Sequence, residues 1–260
     1  IMGNPKLSTQ PWKTPKGNWL VYNGEIFNYY DLKAKYKGHG FAGITGCDTE
    51  LLAWGLDTFG IEFIRQIDSM HGFAYYDVSQ NQLILSRDHA GIKPLYYAEI
   101  NQGLVFGSEL RGLLDIVPGA RTLDKMAHSI WHYMSVNPLP NTFFSNIKKL
   151  LPGETLVYDL KNKNFIKTQR DYVKPISNTD NFDMEEFRTT VKDAVSMCSI
   201  GDKKIGVFLS GGTDSSMIAY ELHKLQGHVN SFTTRWTPDP KTIHEDYNDD
   251  ANMAKKLAGD

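Results

Sequence analysis

The stretch that most constrains this chain is Lys203 to Lys224, KKIGVFLSGGTDSSMIAYELHK, which reads as strand, glycine loop and helix without a break. Ile205, Val207, Phe208 and Leu209 form the short apolar run of a strand covered on both faces. Met217, Ile218, Tyr220 and Leu222 then recur at roughly helical spacing, and Gly227 stands where a helix should stop. A helix that begins on such a loop turns several backbone N–H groups and the positive end of its dipole toward whatever the loop holds. That is the physics of an anion site, and a phosphate fits it. Gly211 and Gly212 allow close backbone approach, while Ser210, Thr213, Ser215 and Ser216 add hydroxyls. An acid beside a phosphate is repulsive unless a metal ion lies between them or its side chain caps the helix. Asp214 is therefore expected to be either a magnesium-linked group or the N-cap. Gly-Gly between apolar runs also signals a hairpin, but the run after it has helical rather than alternating period. No Lys follows the glycines, so the loop is not G-x-x-x-x-G-K-[ST].

One such unit does not fill the chain. At 260 residues, 41% hydrophobic and 22% charged, there is room for one large or two ordinary globular domains. A net charge of −2 argues against a nucleic-acid partner, which would bring a basic excess or patch. No apolar run approaches the ~20 residues of a membrane span, and Ile1 to Lys16 lacks a signal-peptide core, so a cytoplasmic protein without a membrane partner is expected. Cys47 and Cys198 fit no metal spacing and suit a reducing compartment; Cys198, among Val195, Met197 and Ile200, is expected to pack. A chain that begins with Ile is expected to be processed or to be a fragment.

In chain order, Asn18 to Val21 predicts a strand that empties into a turn at Tyr22-Asn23-Gly24-Glu25, with a helix following toward Leu32. Asp48 or Thr49 is a natural N-cap for a helix carrying Leu51, Leu52, Leu56 and Phe59 and ending at Gly60. Gly72–Val78 with Leu83–Asp88, and Leu95–Ile100 with Gly103–Gly107, predict two hairpins of an antiparallel sheet. Helical turns are expected at Glu109–Leu114 and Met126–Met134, and closing strands at Thr142–Ile147, Thr155–Asp159 and Phe165–Thr168, with Pro152-Gly153 a turn. Asp171 to Phe182 reads as a linker and Met184 to Ser199 as an amphipathic helix opening a second domain, giving domains at 1–172 and 183–260.

Read together, several motifs resemble one family. Ser210-Gly211-Gly212-Thr213-Asp214-Ser215 is similar to S-G-G-x-D-S, the pyrophosphate loop of ATP pyrophosphatases. Upstream, Tyr22 to Tyr29, Cys47-Asp48-Thr49-Glu50, Arg87 to Tyr97, Ser108-Glu109 and Leu150-Leu151-Pro152-Gly153 stand in the order found in the glutaminase half of glutamine-hydrolysing asparagine synthetases. The resemblance implies an N-terminal-nucleophile αββα sandwich of antiparallel sheets, followed by the start of a parallel-sheet ATP pyrophosphatase domain. It also implies a function: glutamine-derived ammonia amidates a carboxylate, aspartate by default, while ATP is cleaved to AMP and pyrophosphate.

Carried onto this chain, the resemblance implies that Asn23 donates from its side chain, and Gly24 from its backbone, to the oxyanion formed on glutamine. Glu25 and Asp48 then hold the charged end of that substrate. Leu209, Ser210, Gly211, Gly212, Asp214, Ser215 and Ser216 are implied around ATP with Mg2+ at Asp214, Thr234 lies where adenine would meet the backbone, and a homodimer is the assembly allowed for. The family's nucleophile is a cysteine at the mature N-terminus, and no cysteine begins this chain. Cys47 has no free α-amine to act as base, so it is not expected to replace it, and the chain alone is expected to turn over no glutamine. Arg235-Trp236-Thr237-Pro238-Asp239-Pro240 departs from the small residue and aromatic usual after that strand, and His244-Glu245-Asp246 resembles the family's acidic element. The alternative is a non-catalytic or β-lactam-synthetase-like relative that keeps ATP binding without glutaminase activity.

Overall fold

The computed structural model describes residues 7–171, 182–201, 203–237 and 248–259, in two compact units, Ile1–Pro175 and Ile176–Asp260. The expected linker thus lies outside the described residues except at its ends, as do Pro238 to Pro240 and His244-Glu245-Asp246.

The first unit runs β1 (Trp12–Lys13), β2 (Trp19–Ile26), α1 (Tyr29–Tyr36), α2 (Asp48–Phe59), a 3-10 helix (Gly60–Gln66), β3 (Ser69–Asp77), β4 (Gln82–Arg87), β5 (Tyr96–Ile100), β6 (Gly103–Gly107), α3 (Leu110–Leu114), α4 (Lys125–Met134), β7 (Lys148–Lys149), β8 (Glu154–Asp159) and β9 (Asn164–Arg170). Two antiparallel sheets result, one in the order β1-β2-β3-β4-β8-β9 and one in the order β6-β5-β7. Strand alternation sorts the layers. Ala74, Leu85, Leu156 and Tyr158 face the small sheet's Tyr97 and Phe106, while Ala98 on the small sheet's far side packs with Leu113, Val117 and Ile147. The large sheet's outer face takes α2. There Tyr75 Oη donates to Asp57 Oδ1 at 2.6 Å and Asn18 Nδ2 bonds both groups. Helix, sheet, sheet, helix is the expected αββα layering.

The two hairpins form as expected, and Gly60 ends α2 with φ 62° and its N–H on Leu56 O. Three expectations fail in this unit. Asn23-Gly24 is not a turn: β2 runs through it to Ile26, paired with β3 from Trp19↔Tyr76 to Ile26↔Ser69. Glycine is needed at 24 because a Cβ there would lie 2.2 Å from Met70 O and 2.9 Å from His71 Cα. Thr142–Ile147 is no strand, since Thr142 Oγ1 donates toward the carbonyls of Phe144 and Ile147 and accepts the N–H of Phe144, which folds the segment on itself. Nor does Asp48 or Thr49 cap α2; Cys47 holds that position, and its side chain makes no capping bond to the helix backbone.

The resemblance-bearing motif Arg87 to Lys93 forms a buried knot. The Arg87 guanidinium donates to the carbonyls of Lys93 (2.7 Å), Leu150 (2.6 Å) and Gly91. Asp88, fully buried, accepts from the N–H groups of His71, Ile92 and Lys93, and its carbonyl takes the N–H of Gly153. Two distant loops are thereby locked to β3 and β4.

The second unit contains α5 (Met184–Cys198), β10 (Gly206–Phe208), α6 (Thr213–Gln226), β11 (Asn230–Phe232) and α7 (Asp249–Gly259). Asp183 caps α5 through the N–H groups of Glu185 and Glu186. Strands β10 and β11 pair in parallel, Val207 opposite Ser231, and Gly227 ends α6 in the left-handed region at φ 75°. Cys198 is exposed rather than packed, because it borders an open apolar groove shared with Ile205 and Val207.

Candidate functional site

In the first unit the candidate residues gather along one edge of β2. Phe27 N–H points to Asp68 O, on the β3 side, so alternation sends the N–H groups of Tyr22, Gly24 and Ile26 the other way. Tyr22 N–H and C=O are both taken by the side-chain amide of Gln10, at 2.6 and 2.8 Å. Ile26 N–H is taken by Asp48 Oδ2 at 3.2 Å, and Tyr22 Oη donates to the same oxygen at 3.2 Å. Gly24 N–H lies between these two and meets no acceptor among the described residues.

Asn23 leaves β2 by the opposite face from Tyr22, and its Nδ2 lies 3.4 Å from Ser108 Oγ, at the exit of β6. Glu25, on the same face as Asn23, is partly buried. Asp48 is almost fully buried at 6% exposure. Burial pushes its carboxyl up, and the bonds from Ile26, Cys47 and Tyr22 draw it part of the way back. Burial, with Asp48 beside it, also holds the Tyr22 phenol well above its ordinary value, so Tyr22 is a donor only. Glu50 of the same motif folds the preceding turn by accepting from Ile44 N–H, Thr45 N–H and Thr45 Oγ1. The Cys47 thiol, despite preceding a helix, is pushed up by burial, the reverse of an activated nucleophile.

In the second unit α6 starts at Thr213 with Gly212 as its N-cap and no side-chain cap bond, so Asp214 is not the cap. It stands in the first turn instead. The first intrahelical bond is Ser216 N–H to Gly212 O at 3.1 Å, which leaves the N–H groups of Thr213, Asp214 and Ser215 without an intrahelical acceptor. The serines close the loop on itself: Ser210 and Ser215 hydroxyls are 3.0 Å apart, Ser215 Oγ accepts Ser210 N–H at 3.2 Å, and Ser216 Oγ donates to Gly212 O at 2.7 Å. Leu209 N–H bonds Phe232 O at 2.9 Å and so fixes the loop entrance to β11. Beside Leu209 the cavity wall is made by Thr233 rather than Thr234. Sequence reasoning missed Gln10 and Asn248, whose partners are distant in the chain and carry no local pattern.

Among the described residues no group of three or more His, Cys, Asp or Glu is placed to hold a metal. The loop's donors are all oxygens, one carboxylate among hydroxyls. That suits a magnesium ion held by one carboxylate together with phosphate oxygens rather than by a protein cage. No helix among the described residues is long and apolar enough to cross a membrane.

Each unit has its own family match. Residues 1–172 match the glutamine amidotransferase domain and residues 186–260 match asparagine synthase. Among curated proteins, the putative glutamine-hydrolysing asparagine synthetase 2 of Methanocaldococcus jannaschii is 32% identical over 205 residues, covering 76% of this chain and 39% of that protein. The glutamine-hydrolysing asparagine synthetases 1 and 2 of Bacillus subtilis are each 32% identical, over 79% and 90% of this chain and 33% and 34% of their own lengths. The fold and matches define the class of the first unit as a glutamine amidotransferase domain. The chain belongs to the family of glutamine-hydrolysing asparagine synthetases, and it spans between 33% and 39% of the length of these relatives.

Proposed function

We propose that the whole protein is a carbon–nitrogen ligase that hydrolyses glutamine in its first unit and uses the ammonia, with ATP, to amidate a carboxylate. Aspartate is the default acceptor, and AMP and pyrophosphate are the leaving products. The observation that supports the first half is the Gly24 N–H, without an acceptor among the described residues, between the Gln10 and Asp48 bonds on the β2 edge. An oxygen placed there would meet a fixed backbone donor, with the Asn23 amide as a second, and such donors can lower an amide-hydrolysis barrier by several kcal/mol. Asp48 and Glu25 are the carboxylates for glutamine's α-ammonium. In the second unit the free N–H groups at the start of α6 receive the phosphates. Magnesium, when bound, neutralises phosphate charge, with Asp214 as its protein ligand.

The test uses the whole enzyme. Asn23→Ala should lower kcat for glutamine hydrolysis by about 100-fold, the size of effect seen when an oxyanion donor is removed. Asp48→Ala should raise KM for glutamine and leave ammonia-driven synthesis intact. Asp214→Asn should abolish ATP–pyrophosphate exchange while sparing the glutaminase. Equal effects of the first two changes on both parameters, or exchange that survives the third, would reassign these residues.

A further inference from the structure

A nucleoside triphosphate carries several negative charges, yet Ser210 to Ser216 contains no cation and one acid, Asp214. Two cations stand next door. Ser231 in β11, with Thr233 and Arg235 beyond its end, lines a cavity of about 280 Å3 that Leu209, the residue leading into the loop, also lines. The facing wall is an α7 stripe at i, i+3, i+4 and i+7, in which Lys255 is the one long side chain among Ala251, Ala254 and Ala258.

The same helix borders the loop. Gly211 has φ +83°, and a Cβ there would lie 2.6 Å from Met253 Cβ and 3.0 Å from Ala254 N, so α7 passes against the loop as closely as backbone allows. Asn248 fixes that arrangement: its Oδ1 accepts Trp236 N–H at 2.9 Å, its Nδ2 donates to Trp236 O at 3.1 Å, and its carbonyl takes Asn252 N–H at 2.8 Å. The segment carrying Arg235 is thereby tied to the start of α7. Neither Arg235 nor Lys255 makes a hydrogen bond or ion pair with any described residue.

We infer that Arg235 and Lys255, from facing walls of this cavity, supply the counter-charge for the phosphate chain of the nucleotide at the glycine loop. They are positioning residues, and the inference rests on the ATP reading of that loop. Cations on both walls suit a multiply charged anion better than a single carboxylate, and the arginine fork adds direction that the lysine point charge lacks.

The experiment is calorimetric titration of the full chain with pyrophosphate, ATP and adenosine, in the parent, in Arg235→Ala with Lys255→Ala, and in the charge-keeping pair Arg235→Lys with Lys255→Arg. The alanine pair should weaken pyrophosphate and ATP at least about tenfold, leave any adenosine binding unchanged, and reduce the salt dependence of binding, while the charge-keeping pair should retain most of the affinity. Pyrophosphate and ATP bound equally by parent and alanine pair, or neither bound by the parent, would overturn the inference. Gly211→Ala separates the two ideas. ATP binding lost there but kept in the alanine pair preserves the nucleotide reading and sinks the counter-charge role. Pyrophosphate binding lost in the alanine pair, in a parent that ignores ATP, does the opposite.

Discussion

The two units hold the polar groups of their candidate sites by different means. In the first, polar ties reach across the chain: Asn23 to Ser108, Ser86 to Thr155, and Arg87 to Leu150 join residues 85, 69 and 63 positions apart. In the second, the polar ties inside the glycine loop join serines to partners two to five positions away, while Leu209 N–H at its entrance reaches Phe232 O and α7 packs against Gly211. The sheets differ in the same sense. Both faces of the small antiparallel sheet are packed, whereas Phe208 and Phe232 of the parallel pair are 85% and 58% exposed, and α5 has no buried residue. Long-range ties make the first site a property of the whole unit, so it should be lost only when the unit unfolds. Short-range ties let the serine hydroxyls of the loop reorient around a ligand at little cost to the rest, while β11 and α7 hold the path of its backbone.

Breaking the knot should have the largest effect. Arg87→Met keeps the stem but leaves one buried carbonyl, of Leu150, and two partly buried ones, of Lys93 and Gly91, without this donor, and should cost the first unit about 3 kcal/mol in denaturant unfolding. The second unit's transition should stay in place; a shift in both would mean that the units do not unfold independently.

Acid should come next. His71 is buried between Ser69 and Ser86, and burial lowers its pKa to about 4. An unfolded chain has this histidine at ~6.5 and so binds the proton first, which means stability falls as pH drops through the window from about 6.5 to about 4 and flattens below it. The full loss is about 3 kcal/mol. Asp48, with its carboxyl pushed up, acts with the opposite sign, its burial favouring the protonated form. His71→Gln should remove the histidine's share of the pH slope in the first unit, and an unchanged slope would show that another group carries it.

The smallest effect sharpens the comparison. Phe208→Ser, at a side chain 85% exposed, should move the second unit's stability by no more than about 0.5 kcal/mol. A loss above about 1 kcal/mol would show that this face is covered in solution.

Much of this architecture is legible in the sequence, because the signals are local. Alternation marks β3 with β4 and β5 with β6, and the glycine stops at 60 and 227 follow from the left-handed backbone they supply. Strand, loop and helix at 203–224 is legible for the same reason. Two of the errors share a cause, which is that a residue's local habit is overruled by a distant neighbour. Asn-Gly reads as a turn, but Gly24 is there for β3's backbone; Asp48 reads as a cap, but its carboxylate goes to Tyr22 and Ile26. Thr142 shows the converse, a β-branched residue whose hydroxyl prefers its own neighbours to a ladder.

The Gln10 side chain has a consequence for how this protein behaves among its copies. A sheet edge with a row of unpaired peptide groups is a template for another strand, and so for aggregation. Here β1 covers Leu20, an amide side chain imitates one more residue of strand at Tyr22, and a carboxylate occupies Ile26. What stays bare on that stretch, among the described residues, is one residue wide, at Gly24. A second strand cannot nucleate on a single peptide group, so this stretch of the edge is closed to polymerisation while one backbone donor stays within reach of a single acceptor atom.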